Sequence, residues 1–271
     1  MVSRIFTSSS LCRRGGLYGK GFDLLMRSAG GVANQRYESH ERNVVQSPFG
    51  SVDIPTKNVT EFIFEGYEKY ADKPAVTCGA SKRSYTYGMT YEMVQRMARG
   101  LLSQKGCAMR KHDVLGLLLP NIPEFVSALH GGLLAGLSVT FANPLYTAEE
   151  VCRQFENAGV TAIVTLPMLL PVAEMFKMKV KQYKGTICIG GKHDLAKNIY
   201  GFEQFLKENH SSELPTIDVH KTAILPYSSG TTGLPKGVEL SHFNLVANLA
   251  QGSHPDISKY YQPEYRECRC F

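Results

Sequence analysis

From residue 59 onward the apolar positions fall into two alternating patterns: stretches with helical spacing, and short unbroken apolar runs closed by Gly, Pro or Asn. The first predicts amphipathic helices and the second buried strands. Thr60 to Ala71 carries Ile63, Phe64, Tyr67 and Tyr70 on one helical face and stops before Pro74. Ala75–Cys78 and Ser84–Tyr87 are strand-like. Met89 to Lys105 is a longer helix whose Met93, Met97, Leu101 and Leu102 form a core stripe. Val114–Leu119, closed by Pro120, suits a buried parallel strand, and Pro123 sits where proline is tolerated, near the first turn of the next helix. That helix, to about Ala135, is rich in Gly and Ala and is able to pack closely.

The same alternation continues through a strand at Ser138–Ala142 and a break at Asn143-Pro144. Thr147 and Glu150 have the spacing of a capping box for a helix through Asn157. Further strands are expected at Ala162–Leu166, Thr186–Ile189 and Thr222–Pro226, with helices over Leu169–Lys181 and Phe202–Glu208 and a last one, capped by Ser241, through Leu249. Such β-α repetition predicts the α/β class, a mostly parallel sheet flanked by helices.

Composition narrows the function classes. At 271 residues and 43% apolar content the chain is long enough for a buried core. The net charge of +6 does not form one basic face: Arg4, Arg13, Arg14, Lys20, Arg27 and Arg36 crowd the first 36 residues against Asp23 alone, which argues against nucleic-acid binding. That Arg-rich, Ser-rich, acid-poor opening lacks a continuous apolar core and reads as a mitochondrial presequence. The alternative is a basic extension with no address, or upstream sequence foreign to the protein. The seven cysteines show no C-x-x-C pair and no histidine at metal spacing, so they read as reduced thiols and no metal ligand is assigned. No apolar run reaches the length of a membrane span, and no G-x-G-x-x-G follows a strand.

The candidate chemistry lies in Tyr227–Val238, YSSGTTGLPKGV. Its glycines let backbone N–H groups converge, while four hydroxyls and the Lys236 ammonium add donors for an anion, a chemistry for polyphosphate. The P-loop pattern fails here, because five residues on from Gly230 stands Pro235, then Lys236, then Gly237. The loop follows a predicted strand and precedes a predicted helix, where open α/β sheets bind ligands. His242 reads as a surface or capping residue at a helix start, His112 and His130 suggest nothing catalytic, and Glu149-Glu150 is ordinary first-turn charge.

The stretch resembles the phosphate-loop signature of the AMP-forming acyl-CoA synthetases, the superfamily that includes 4-coumarate CoA ligases, fatty acyl-CoA synthetases and luciferases. Leu117–Val151, with its strand, proline-opened helix and N-P-x-Y-T turn, and ELSHFNLVANL after the loop extend the resemblance over roughly residues 45 to 262. It implies ATP-dependent activation of a fatty or aryl carboxylic acid to an acyl adenylate and then a CoA thioester, with ATP, Mg2+ and CoA as the small-molecule partners. Carried over by position, Ser228, Ser229, Gly230, Thr231, Thr232 and Lys236 are the expected ATP-binding residues, and Gly233, Pro235 and Gly237 shape the turn.

The family's later motifs (Y-G-x-T-E, T-G-D, the hinge and the small C-terminal domain with its catalytic lysine) do not occur, and YRECRCF departs from the pattern. The resemblance therefore implies an incomplete N-terminal domain: a basic extension at 1–44, a partial synthetase domain at 45–262 and an aberrant tail at 263–271, unable as given to form the thioester. Two other functions stay open, a catalytically incompetent nucleotide- or partner-binding fragment and a luciferase-like or other adenylating enzyme. Mitochondria are the expected location, with peroxisomes or cytoplasm as alternatives, although Arg269-Cys270-Phe271 is not the S-K-L address.

Overall fold

The computed structural model of the protein describes residues 50–228 and 235–254. The chain divides into two units, 1–50 and 51–271, and all but one of the described residues belong to the second. The basic extension and the tail, with Cys12, Cys268 and Cys270, lie outside the described residues.

Helix α1 (Val59–Phe64) opens the second unit, followed by an antiparallel hairpin of β1 (Pro74–Thr77) and β2 (Ser84–Thr86). Helix α2 (Tyr87–Leu102) then leads into repeated strand-helix units: β3 (Val114–Leu117), α3 (Glu124–Leu134), β4 (Ser138–Phe141), α4 (Ala148–Ala158), β5 (Val160–Thr165), α5 (Leu170–Lys177), β6 (Gly185–Cys188), β7 (Ile199–Gly201) and α6 (Phe202–Lys207). After β8 (Thr222–Ile224) come the very short strands β9 (Tyr227–Ser228), β10 (Lys236–Gly237) and β11 (Leu240–Ser241), and then α7 (His242–Gly252). Seven strands share one sheet in the order β11-β8-β4-β3-β5-β6-β7. Every pair in it is parallel except β11 with β8.

Both faces of the sheet are covered, as buried parallel strands require. Leu115, Leu117, Val139, Ala162, Val164 and Ile187 join Met97 and Leu101 of α2, Leu133 of α3, Phe205 of α6 and Val246 of α7 in one core. Leu118 and Ile163 join Val151 and Phe155 of α4 and Phe176 of α5 in a second. The Gly-rich face of α3 does allow close packing, for a Cβ at Gly131 would fall 2.5 Å from Met97 Cγ. Glu124, buried on the first turn of α3, fastens the β1-β2 hairpin: Arg83 Nη2 approaches its carboxylate at 2.8 Å and the Tyr85 hydroxyl donates at 2.7 Å. Burial, and then Glu124, push the Tyr85 phenol up to about 12.

The expected helix over 60–71 is interrupted. Gly66 takes a left-handed φ of 73°, a conformation glycine adopts at no steric cost, and a 3-10 turn over Tyr67–Tyr70 follows. The break brings Tyr67 onto Tyr91, ring centroids 4.3 Å apart, with Phe64 on the same ring at 5.2 Å, while Ile63 and Tyr70 stay exposed. The expected strand over Thr222–Pro226 ends at Ile224. Pro226 has no N–H with which to continue a ladder, so the segment beyond it pairs elsewhere.

Candidate phosphate-binding site

Strand β8 is held along β4 by a Leu225 N–H to Val139 C=O bond of 2.9 Å, and the Thr140 hydroxyl donates to the Leu225 carbonyl at 2.7 Å. Because β8 runs parallel to β4 and β3, its end lies at the carboxyl edge of the sheet, the usual side for ligands in this class. Leu240 of β11 pairs with Ile224, the Val238 N–H donates to the Pro226 carbonyl at 2.9 Å, Gly237 pairs with Tyr227, and Lys236 pairs with Ser228. Two antiparallel strands thus leave the sheet as one narrow ribbon.

Ser228 and Lys236, both expected to bind ATP, stand opposite each other across this ribbon, and both are exposed. Ser229, Gly230, Thr231 and Thr232 lie outside the described residues, as does Gly233. Gly237, expected to shape the turn, stands on the ribbon opposite Tyr227. It lies within β10, and a Cβ there would sit 3.2 Å from Tyr227 Cζ, so its bare backbone makes room for the Tyr227 ring. The Tyr227 hydroxyl donates to Asn157 Oδ1 at 2.5 Å, and burial raises its pKa, so it stays a phenol donor at neutral pH. A hydroxyl and an ammonium on a ribbon at the carboxyl edge are able to bind and neutralise an anion.

Helix α7 begins directly after the ribbon, with a reciprocal Ser241–Asn244 capping box. His242 is not the surface residue its place in the sequence suggested: it is 2% exposed, and its Nδ1 accepts the Val59 N–H at 3.3 Å. That N–H belongs to the first turn of α1 and would otherwise have no helical acceptor. His130 of α3 lies 3.0 Å by Nδ1 from the Thr60 hydroxyl. Burial pulls both imidazoles down to about 4, with His242 adding to the effect on His130. The two histidines tie α1, α3 and α7 together as neutral rings. Their partners lie 183 and 70 residues away, so no local pattern announced the role.

Cys78, Cys107, Cys152 and Cys188 are free thiols. Among the described residues no three His, Cys, Asp or Glu side chains gather as a metal site, and no helix is long and apolar enough to cross a membrane.

A profile of the AMP-binding enzyme family matches residues 63–266. The sequence is 32% identical over 222 residues to 4-coumarate–CoA ligase 3 of Arabidopsis thaliana, covering 79% of this chain and 38% of that relative. Among solved structures, a long-chain-fatty-acid–CoA ligase from Archaeoglobus fulgidus superposes with a TM-score of 0.66 at 24% identity, covering 76% of this chain and 41% of that one. An anthranilate CoA ligase, solved with anthranoyl-AMP, superposes with a TM-score of 0.62 at 22% identity over 70% and 36% of the two chains. At these identities the structural likeness concerns the fold. The chain spans about two fifths of the length of such relatives.

Proposed function

Because the chain belongs to the AMP-binding enzyme family, matched over residues 63–266, we propose that it carries the ATP phosphate-binding part of an AMP-forming carboxylic acid–CoA ligase. The observation that carries this reading is the ribbon at the carboxyl edge, which opposes Ser228 and Lys236 where phosphate donors are wanted. The similarity to a 4-coumarate–CoA ligase supports an aryl acid as substrate class, with a fatty acid as the alternative.

In adenylate formation the carboxylate attacks the α-phosphorus of ATP and pyrophosphate leaves. Negative charge gathers on the leaving group, so donors held in place beforehand stabilise it more than they stabilise the bound substrate. The Lys236 ammonium would neutralise part of that charge, and the Ser228 hydroxyl would donate a hydrogen bond. Magnesium is assigned to the nucleotide's phosphates and not to the described carboxylates. CoA would take over the acyl group in a second step, in which no described residue is given a role.

A second reading keeps nucleotide binding and drops the chemistry. Acid-dependent exchange of labelled pyrophosphate into ATP separates the two, with hydroxycinnamic and fatty acids as the panel. Exchange that disappears in Lys236→Ala is the outcome expected of the ligase reading. Saturable MgATP binding with no exchange favours the second reading, and the absence of both refutes each.

A further inference from the structure

The ribbon bearing Ser228 and Lys236 leaves the sheet after Leu240 pairs with Ile224, and its own ladder has only two residue pairs. So short a ladder is marginal in water and does not set its own direction. The described contact that reaches sideways from it is the Tyr227 hydroxyl to Asn157 Oδ1 bond. We propose that Asn157, in the last turn of α4, is the positioning residue of the phosphate-loop ribbon: by taking the Tyr227 hydroxyl it fixes which way Ser228 and Lys236 face. The proposal deepens, and rests on, the phosphate-binding reading.

Side chains alternate faces along a strand. Tyr227 and Gly237, paired with each other, therefore share one face of the ribbon, and Ser228 and Lys236 share the other. Holding the Tyr227 ring toward α4 turns the hydroxyl and ammonium away from it. Gly237 completes the arrangement, since a Cβ there would press on the ring at 3.2 Å from Tyr227 Cζ. The support is firm: a Thr147–Glu150 capping box closes one end of α4, Phe155 is fully buried, and the Gln154 amide donates to the Phe141 carbonyl at 3.0 Å. Asn157 itself is exposed. Losing its bond leaves no orphaned buried group and so acts on the ribbon without weakening the core.

Amide hydrogen exchange of the ligand-free chain tests the inference without any assumption about activity. Val238 N–H, bonded to Pro226 C=O, reports the ribbon, and Leu118 N–H, bonded to Val164 C=O, reports the sheet. Loss of one solvent-facing hydrogen bond predicts exchange at Val238 about three- to tenfold faster in both Asn157→Ala and Tyr227→Phe, with Leu118 unchanged. The double variant should be no faster than either single one, and Asn157→Asp, which keeps an acceptor, should match wild type. Unchanged exchange at Val238 overturns the proposal. So does equal acceleration at Leu118, or an Asn157→Asp rate as fast as that of Asn157→Ala. In a parallel titration MgATP should bind the Ala and Phe variants several-fold more weakly than wild type, and unchanged affinity contradicts the positioning role. If wild type itself binds no MgATP while the exchange pattern holds, it is the phosphate-binding reading that fails, and the Asn157–Tyr227 clamp stands.

Discussion

His130 and His242 show how a residue's role is set by what surrounds it. Each is held neutral by burial, with a folded-state pKa of about 4 against an ordinary value of 6.5. Below pH 6.5 the unfolded chain takes up protons that the folded chain refuses, so stability is whole above that value and falls as the pH drops toward 4. Each ring contributes a loss on the order of 1–2 kcal/mol by pH 5. Urea unfolding at pH 7.5 and pH 5.0 should show this loss. His242→Gln, which keeps an acceptor for the Val59 N–H, should reduce it, and an equal pH dependence in wild type and variant would contradict the assignment. The loop stretch stood out in the sequence because glycines, hydroxyls and lysine lie together in it, and of its expected ATP-binding residues the structure describes Ser228 and Lys236, opposite each other on the ribbon. The sequence pointed to the surface for His242, which is buried, and offered nothing for Asn157, because the partners of both are distant in the chain.

Elements were legible where a period had room to repeat. The stripe Met97 and Leu101 on α2, the unbroken apolar β3 and the Thr147–Glu150 box on α4 all stand where the patterns put them. Strands β7, β9, β10 and β11 span two or three residues, too few for any alternation to register, and they exist because the sheet edge and the ribbon give them partners. Close packing of α3 against α2 carries its own prediction. Gly131→Ala drives a methyl into the Met97 side chain and the backbone near Val94, an overpacking that costs about 1–3 kcal/mol. A fall in the urea midpoint of that order is expected, and a variant as stable as wild type would show that the α2-α3 contact is looser than described.

For the molecule as a whole, family membership, a parallel sheet covered on both faces and a ribbon at its carboxyl edge support the proposal that this chain binds the phosphates of ATP through the ribbon. Lys236 is exposed, so replacing it removes charge without disturbing the core. The most direct test is calorimetric titration of MgATP into the full 271-residue chain and into Lys236→Ala at low salt. Saturable binding to wild type, weakened about tenfold or more in the variant at an unchanged melting temperature, is the predicted result, as expected for the loss of a charge-assisted phosphate contact. Equal affinity in the two proteins, or no saturable binding to wild type, would contradict the account.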